Sequence, residues 1–160
     1  MSETLSRRSV LLAGFTALVT SCVSAGQADA LLSKVVVNKD PNCRCCEKWA
    51  DHLSAAGFPV EVVATPELAA LKVKLGVPDD LKSCHTAEAA GYVLEGHVPA
   101  EAILRLLREK PAAIGLAVPG MPAGAPGMEG GAPATYEVIL FGKDGRKTYA
   151  LFKGAAEIPL

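Results

Sequence analysis

The chain has 160 residues and a mass of 16.6 kDa, enough for one ordinary domain. Half of its residues are hydrophobic and 21% are charged, a globular composition that excludes a disordered chain. Sixteen basic against seventeen acidic side chains give a formal net charge of −1. That balance argues against a nucleic-acid partner, which would call for a basic stripe to displace counterions from phosphate.

Residues 1–30 read as an export signal that is removed and so stand outside the fold. Arg7 and Arg8 supply its positive start, and residues 10–19 are an apolar run too short to span a bilayer as a helix. Ser6-Arg7-Arg8-Ser9-Val10-Leu11 is similar to a twin-arginine signal. Ala28-Asp29-Ala30 fits the small-x-small cleavage rule and leaves a single domain over residues 31–160. Val19-Thr20-Ser21-Cys22 offers a competing exit, because it resembles a lipobox in which Cys22 becomes a lipidated N-terminus. Either route places the protein outside the bacterial cytoplasm, in the periplasm, with no membrane span in the mature chain.

From there the predicted elements run in order. A β-branched run over residues 34–38 predicts a buried strand. A helix follows, capped by Asn42, with Cys46, Trp49, Leu53 and Ala56 on one face and Gly57 and Pro59 ending it. Residues 59–63 read as a second strand and residues 66–75 as a second helix, stopped by Gly76 and Pro78. Residues 81–86 read as a polar turn and residues 91–95 as a short strand. Residues 99–110 form an amphipathic helix with Ile103, Leu104, Leu106 and Leu107 inward and Pro99 in its first turn. An apolar stretch at 115–118 precedes a proline- and glycine-rich loop over 119–133 that carries Met121 and Met128. A hairpin, residues 136–141 and 147–152, closes around Asp144-Gly145.

This order predicts an α/β fold: a thioredoxin-like central sheet with flanking helices and a Gly/Pro/Met-rich loop before a C-terminal β-hairpin. Val118-Pro119 would then stand where such folds place a cis-proline beside a cysteine pair, so a cis bond is expected there. No exposed amphipathic seam calls for a second copy, and a monomer is expected.

The cysteines carry the functional signal. Three of five fall within four residues, and an even set of four remains after residue 30: Cys43, Cys45, Cys46 and Cys84. In an oxidising compartment these are two bridges, one redox pair or a metal site. Cys43-Arg44-Cys45-Cys46 lies where a strand gives way to a helix, and there unpaired N–H groups and the helix dipole stabilise thiolates. Cys43 and Cys46 have the spacing of a redox-active pair. Cys45 is superfluous to disulfide exchange, and three thiolates in one turn repel unless they share a cation, which favours metal over pure dithiol chemistry. Cys84 adds a fourth sulfur, and Met121 and Met128 add thioethers. Such a soft set suits Cu(I). Zinc would be satisfied by the cysteines alone, and Cys-x-Cys-Cys is not a usual iron–sulfur spacing. His85 is either a ligand or a turn cap, and His97 either a ligand or a loop-structuring residue. His52 reads as an exposed helix residue and Trp49 as core packing behind the site. Arg44 and Lys48 read as solvated bases that offset thiolate charge.

A family likeness covers residues 34–152. Cys43-Arg44-Cys45-Cys46-Glu47-Lys48-Trp49, Ser83-Cys84-His85-Thr86-Ala87, Glu95-Gly96-His97-Val98-Pro99-Ala100, Gly115 to Pro122 and Pro126-Gly127-Met128-Glu129 together resemble the CopG-type copper-resistance proteins. These are exported CxCC proteins of Gram-negative bacteria. The resemblance implies a thioredoxin-like domain with a multinuclear copper cluster bridged by cysteine sulfurs. It also implies interconversion of Cu(I) and Cu(II) in copper resistance, with periplasmic efflux components as partners. Carried over by position, Cys43, Cys45, Cys46 and Cys84 are the cluster sulfurs, with Met121, Met128 and His97 as further donors. The readings left beside this one are a thiol–disulfide oxidoreductase using Cys43 and Cys46, and a passive copper chaperone.

Overall fold

A β-branched run opens the part of the chain that the computed structural model describes, residues 32–160; the export-signal and lipobox readings lie outside it. In β1 (Val35–Lys39) the alternate residues Val35 and Val37 are fully buried, as a half-buried strand requires. The chain then turns into α1 (Arg44–Ala55), whose inward face is Cys46, Trp49, Ala50 and Leu53. Asn42 does not cap this helix. Its own N–H instead bonds Asp40 Oδ1, and Cys43 takes the cap position without a side-chain bond. Gly57, at φ +93°, releases the chain into β2 (Val60–Ala64), parallel to β1.

α2 (Leu68–Lys74) is shorter than its pattern predicted at both ends, and a 3-10 turn (Asp79–Leu81) follows it. The stretch expected as a turn at 81–86 runs instead into a strand, β3 (His85–Ala89), antiparallel to β1. β4 (Tyr92–Glu95) pairs back on β3, and α3 (Ala100–Glu109) crosses to β5 (Gly115–Ala117), parallel to β4. The predicted hairpin is β6 (Thr135–Gly142) and β7 (Gly145–Lys153), joined antiparallel, and a short strand β8 (Ala156–Ile158) that the pattern had not suggested adds the last edge. Among the described residues, eight strands form one sheet in the order β2-β1-β3-β4-β5-β6-β7-β8. The expected α/β class with a central sheet, flanking helices and a loop before the hairpin is what the chain adopts.

The sheet divides the core in two. Trp49 and Leu53 of α1 and Ile103 and Leu106 of α3 pack with Val35, Ala87, Leu94 and Leu116 on one face. Val77, Leu81, Val93, Ala117 and Phe141 gather on the other. Neighbours such as Val93 and Leu94 therefore face opposite ways, the period of two that a pleated strand dictates. No helix among the described residues is long and apolar enough to cross a membrane.

One expectation fails outright. Every peptide bond among the described residues is trans, Val118-Pro119 included. The close contact of the buried cysteine is with the entry to β3, Cys46 Sγ lying 3.8 Å from Cys84 O. Val118 instead donates its N–H to Glu95 O at 2.9 Å as the chain leaves β5.

Candidate metal centre

Two strand ends bring the cysteines together. β1 and β3 pair so that Lys39 stands opposite His85, which sets the turn after β1 beside the residue before β3. Lys39 is only 4% exposed, and its Nζ donates to the carbonyls of Asp40, Pro41 and Cys43, each at 3.2 Å, and pairs with Glu47 at 3.1 Å. A buried ammonium thus ties the turn that presents Cys43-Arg44-Cys45-Cys46. The first N–H groups of α1 have no intrahelical acceptor and form the positive end of the helix beneath the sulfurs.

Cys43 and Cys46 are joined as a disulfide, while Cys45 and Cys84 are free and half-buried. Cys45 Sγ lies 3.5 Å from Cys43 Sγ and 3.9 Å from Cys84 Sγ. Cys46, fully buried, points its sulfur at Cys84 O, 3.8 Å away. The four sulfurs lie within 4.8 Å of one another. Ligands on a tetrahedral ion with bonds of about 2.3 Å are about 3.8 Å apart, close to the Cys45–Cys43 and Cys45–Cys84 spacings, and reduction of the Cys43–Cys46 bond frees the remaining two thiolates.

Cys84 belongs to a second group. Its sulfur is 3.3 Å from His85 Nδ1 and 3.1 Å from His97 Nε2, and these three donor atoms also lie within 4.8 Å. His97 Nδ1 is 2.7 Å from Pro126 O, an acceptor only, so Nδ1 holds the proton and Nε2 turns a lone pair toward the sulfur. Burial lowers the pKa of His97 and holds His85 well below 6.5, with His97 and Lys72 nearby pushing His85 the same way. Both rings are neutral and able to ligate. Burial, reinforced by Cys45, pushes the Cys84 thiol up to about 12, so without metal it stays protonated and donates to His97. His85 packs its ring 4.3 Å from Trp49, and its Nε2 is buried without any hydrogen-bond partner. The ring nitrogen that faces the shared thiol is Nδ1, so the sulfur–nitrogen group consists of Cys84 Sγ, His85 Nδ1 and His97 Nε2.

Met121 and Met128 stand on the open side. They line a groove of about 460 Å³ together with Arg44, Cys45, Lys48 and Glu129. Met121 is 55% exposed, whereas Met128 is half-buried against the core. The loop that carries them lies directly on α1: a Cβ on Gly127 would stand 2.8 Å from both Cys45 O and Trp49 N. A larger groove of about 810 Å³, lined by residues such as Tyr92, Arg108 and Lys110, holds no thiol, imidazole or carboxylate.

A family model described as a protein of unknown function, DUF411, matches residues 81–128, the stretch that carries Cys84, His85, His97, Met121 and Met128. No curated protein matches. Two solved structures of a copper resistance protein, copG form 1 and form 2, are each 42% identical to this chain. Each alignment covers 79% of this chain and 98% of the other, with a TM-score of 0.70. The chain belongs to the CopG copper-resistance protein family.

Within this CopG-family chain the eight residues singled out from sequence divide cleanly. Cys43, Cys45, Cys46, Cys84, His85 and His97 converge on one site, and Met121 and Met128 line the groove at its mouth. Trp49 is fully buried core, as read. His52 is not the exposed residue expected: it is half-buried, and its Nε2 accepts the Ala100 N–H at 3.1 Å at the start of α3. Lys39 went unnoticed because a lysine ending a strand reads as a surface residue, and only the turn's inward carbonyls give it a role.

Proposed function

We propose that this protein is an exported, monomeric copper-binding protein of copper resistance, built on a thioredoxin-like scaffold. Copper is held in a cysteine-bridged, multinuclear site and interconverted between Cu(I) and Cu(II). Cys43, Cys45, Cys46 and Cys84 supply the thiolates, and His85 and His97 supply imidazole nitrogens. Met121 and Met128 supply thioethers at the entrance. The observation that carries the reading is the position of Cys84, whose one sulfur is common to an all-sulfur group and a sulfur–nitrogen group. A thiolate in that position would be a donor common to both groups, as a multinuclear site requires. Sulfur and thioether donors favour Cu(I), whereas imidazole also suits Cu(II), so the donor set serves both valences. Bound copper supplies the one-electron chemistry, and the chain supplies the fixed donors around it.

Anaerobic Cu(I) titration of the reduced protein, with metal analysis and a visible spectrum after air exposure, tests the reading. Several coppers per chain are expected, with absorption that appears on oxidation and vanishes on reduction. One copper or none would overturn it. Cys45→Ser is expected to damage loading as severely as Cys43→Ser, and full loading of Cys45→Ser would count against a shared cluster.

A second reading has one observation in its favour: the Cys43–Cys46 disulfide at the first turn of α1, the arrangement of a thiol–disulfide oxidoreductase. Reduction of a model disulfide that survives Cys45→Ser and Cys84→Ser would select it.

A further inference from the structure

Behind the donor groups, on the opposite face of the sheet from Trp49, lies a charged pair that copper binding does not use. Lys72 of α2 is 5% exposed and Glu95 at the end of β4 is fully buried. Lys72 Nζ reaches Glu95 Oε1 at 2.5 Å and Thr86 Oγ1 at 2.8 Å. Thr86 Oγ1 donates to Glu95 Oε2 at 2.6 Å, and the Ser83 N–H donates to Glu95 Oε1 at 2.6 Å. The carboxylate therefore grips the residue before Cys84 and the residue after His85. A buried ion pair of this kind is a weak argument for stability, because desolvating two charges offsets most of their attraction. Its placement is what needs a reason.

Glu95 is also where other donor-bearing segments meet. The next residue, Gly96, donates its N–H to His85 O at 3.1 Å, and the chain then reaches His97. Gly96 sits at φ +72°, and a Cβ there would stand 2.5 Å from Val118 O and 2.7 Å from Ser83 Oγ. The Glu95 carbonyl takes the Val118 N–H, leading into the segment of Met121. One residue thus joins the Cys84–His85, His97 and Met121 segments.

We propose that the Lys72–Glu95 pair is the positioning device of Cys84: the Glu95 carboxylate, balanced by Lys72, clamps the Ser83 amide and the Thr86 hydroxyl, and so fixes where the Cys84 sulfur stands against Cys45 and His97. Lys72, Thr86 and Glu95 are positioning residues and touch no metal. The metal arm of the test rests on the copper reading; the thiol arm does not.

The thiol arm is alkylation of the full, unreduced chain with iodoacetamide, with Cys84 and Cys45 followed separately by peptide mass spectrometry. In Glu95→Gln, and in the Lys72→Met/Glu95→Gln double variant that buries no unpaired charge, Cys84 labelling is expected to rise about tenfold, the worth of one charge-assisted hydrogen bond. Cys45 labelling is expected to hold steady, since a general loss of stability would speed both thiols. The metal arm is Cu(I) competition on the reduced chain, where affinity is expected to fall about 10- to 100-fold, as it does when a residue supporting a ligand is lost. Where Glu95→Gln does not fold, Thr86→Val removes one clamped group without unpairing a charge and carries the same readouts. Unchanged Cys84 labelling, or equal acceleration of Cys45, would overturn the proposal. If the wild-type chain takes no Cu(I) while Cys84 labelling still responds, the positioning role stands and the copper reading falls.

Discussion

Cys84 Sγ and His97 Nε2 face each other at 3.1 Å, and the far nitrogen of His97 is held by Pro126 O at 2.7 Å. The carbonyl fixes the tautomer, so the nitrogen facing the sulfur has a free lone pair. That lone pair accepts the thiol proton when no ion is present, and it can ligate once an ion displaces the proton. The Gly/Pro/Met-rich loop therefore bears on the Cys84–His97 contact through its backbone, and its Met121 and Met128 line the groove beside Cys45.

Cys84→Ser is expected to cost more copper than any other single substitution, because it removes the one donor atom common to both groups. His97→Gln should leave the four sulfurs in place and lose less. Copper per chain after desalting, measured on reduced protein loaded anaerobically, makes the comparison. Equal losses for the two variants would contradict a bridging role for the sulfur.

Gly127→Ala is expected to lift the methionine loop from α1. Gly127 sits at φ +83°, and an added Cβ would meet the backbone at Cys45 and Trp49, which has no flexible end to yield. The left-handed conformation alone costs a non-glycine residue about 1 kcal/mol, and the clash adds to it. A lower urea midpoint together with weaker Cu(I) binding is the expected pair of outcomes. A variant with wild-type values for both would mean that the loop does not bear on the helix.

The parts of this architecture that local pattern determines were legible in the sequence. Cys46, Trp49 and Leu53 recur at helical spacing and are the buried face of α1. The β6–β7 hairpin announced itself through Asp144-Gly145 between two apolar runs. What escaped was decided across the sheet. Lys82, Ser83, His85 and Thr86 make residues 81–86 look like a polar turn, yet His85 and Thr86 are fully buried at the start of β3, because their partners come from α1, α2 and β4. The cis bond expected at Val118-Pro119 rested on element order alone, and the bond is trans. Lys72 and Glu95 stand 23 residues apart with no local pattern to link them, and only the fold pairs them. The cysteines that the fold gathers were noticeable in the sequence because thiols crowded into a short motif need no tertiary partner to stand out.

Trp49→Phe is expected to cost about 1–3 kcal/mol of stability, the penalty for leaving a buried acceptor unpaired. The fully buried indole donates from Nε1 to Val98 O at 2.9 Å, and phenylalanine fills much of the volume but cannot replace the bond. Trp49→Ala should cost more, about 3–5 kcal/mol, because a cavity is added. Urea unfolding of the three proteins followed by circular dichroism gives the order; a Phe variant as stable as wild type would show that the bond contributes nothing.

The metal-free protein should lose stability as the pH falls through 6.5, and His52 supplies part of the loss. Burial lowers its pKa below the ordinary value of 6.5, with Glu101 and Glu129 opposing. The unfolded chain therefore takes up the proton at higher pH than the folded one. Below 6.5 the unfolded state binds more protons, so unfolding becomes easier with acidification until the folded histidine also titrates. His85 and His97, lowered by burial as well, act with the same sign. Protonation of His52 also removes the acceptor of the Ala100 N–H at the start of α3. His52→Ala is expected to lower stability near neutral pH by about 1 kcal/mol, as loss of a helix cap does, and to make the decline with acid shallower. Thermal midpoints from about pH 8 to about pH 5, a window spanning the ordinary histidine value, test both effects. A His52→Ala profile that runs parallel to wild type would remove His52 from the account and leave the slope to the two buried histidines at the metal centre.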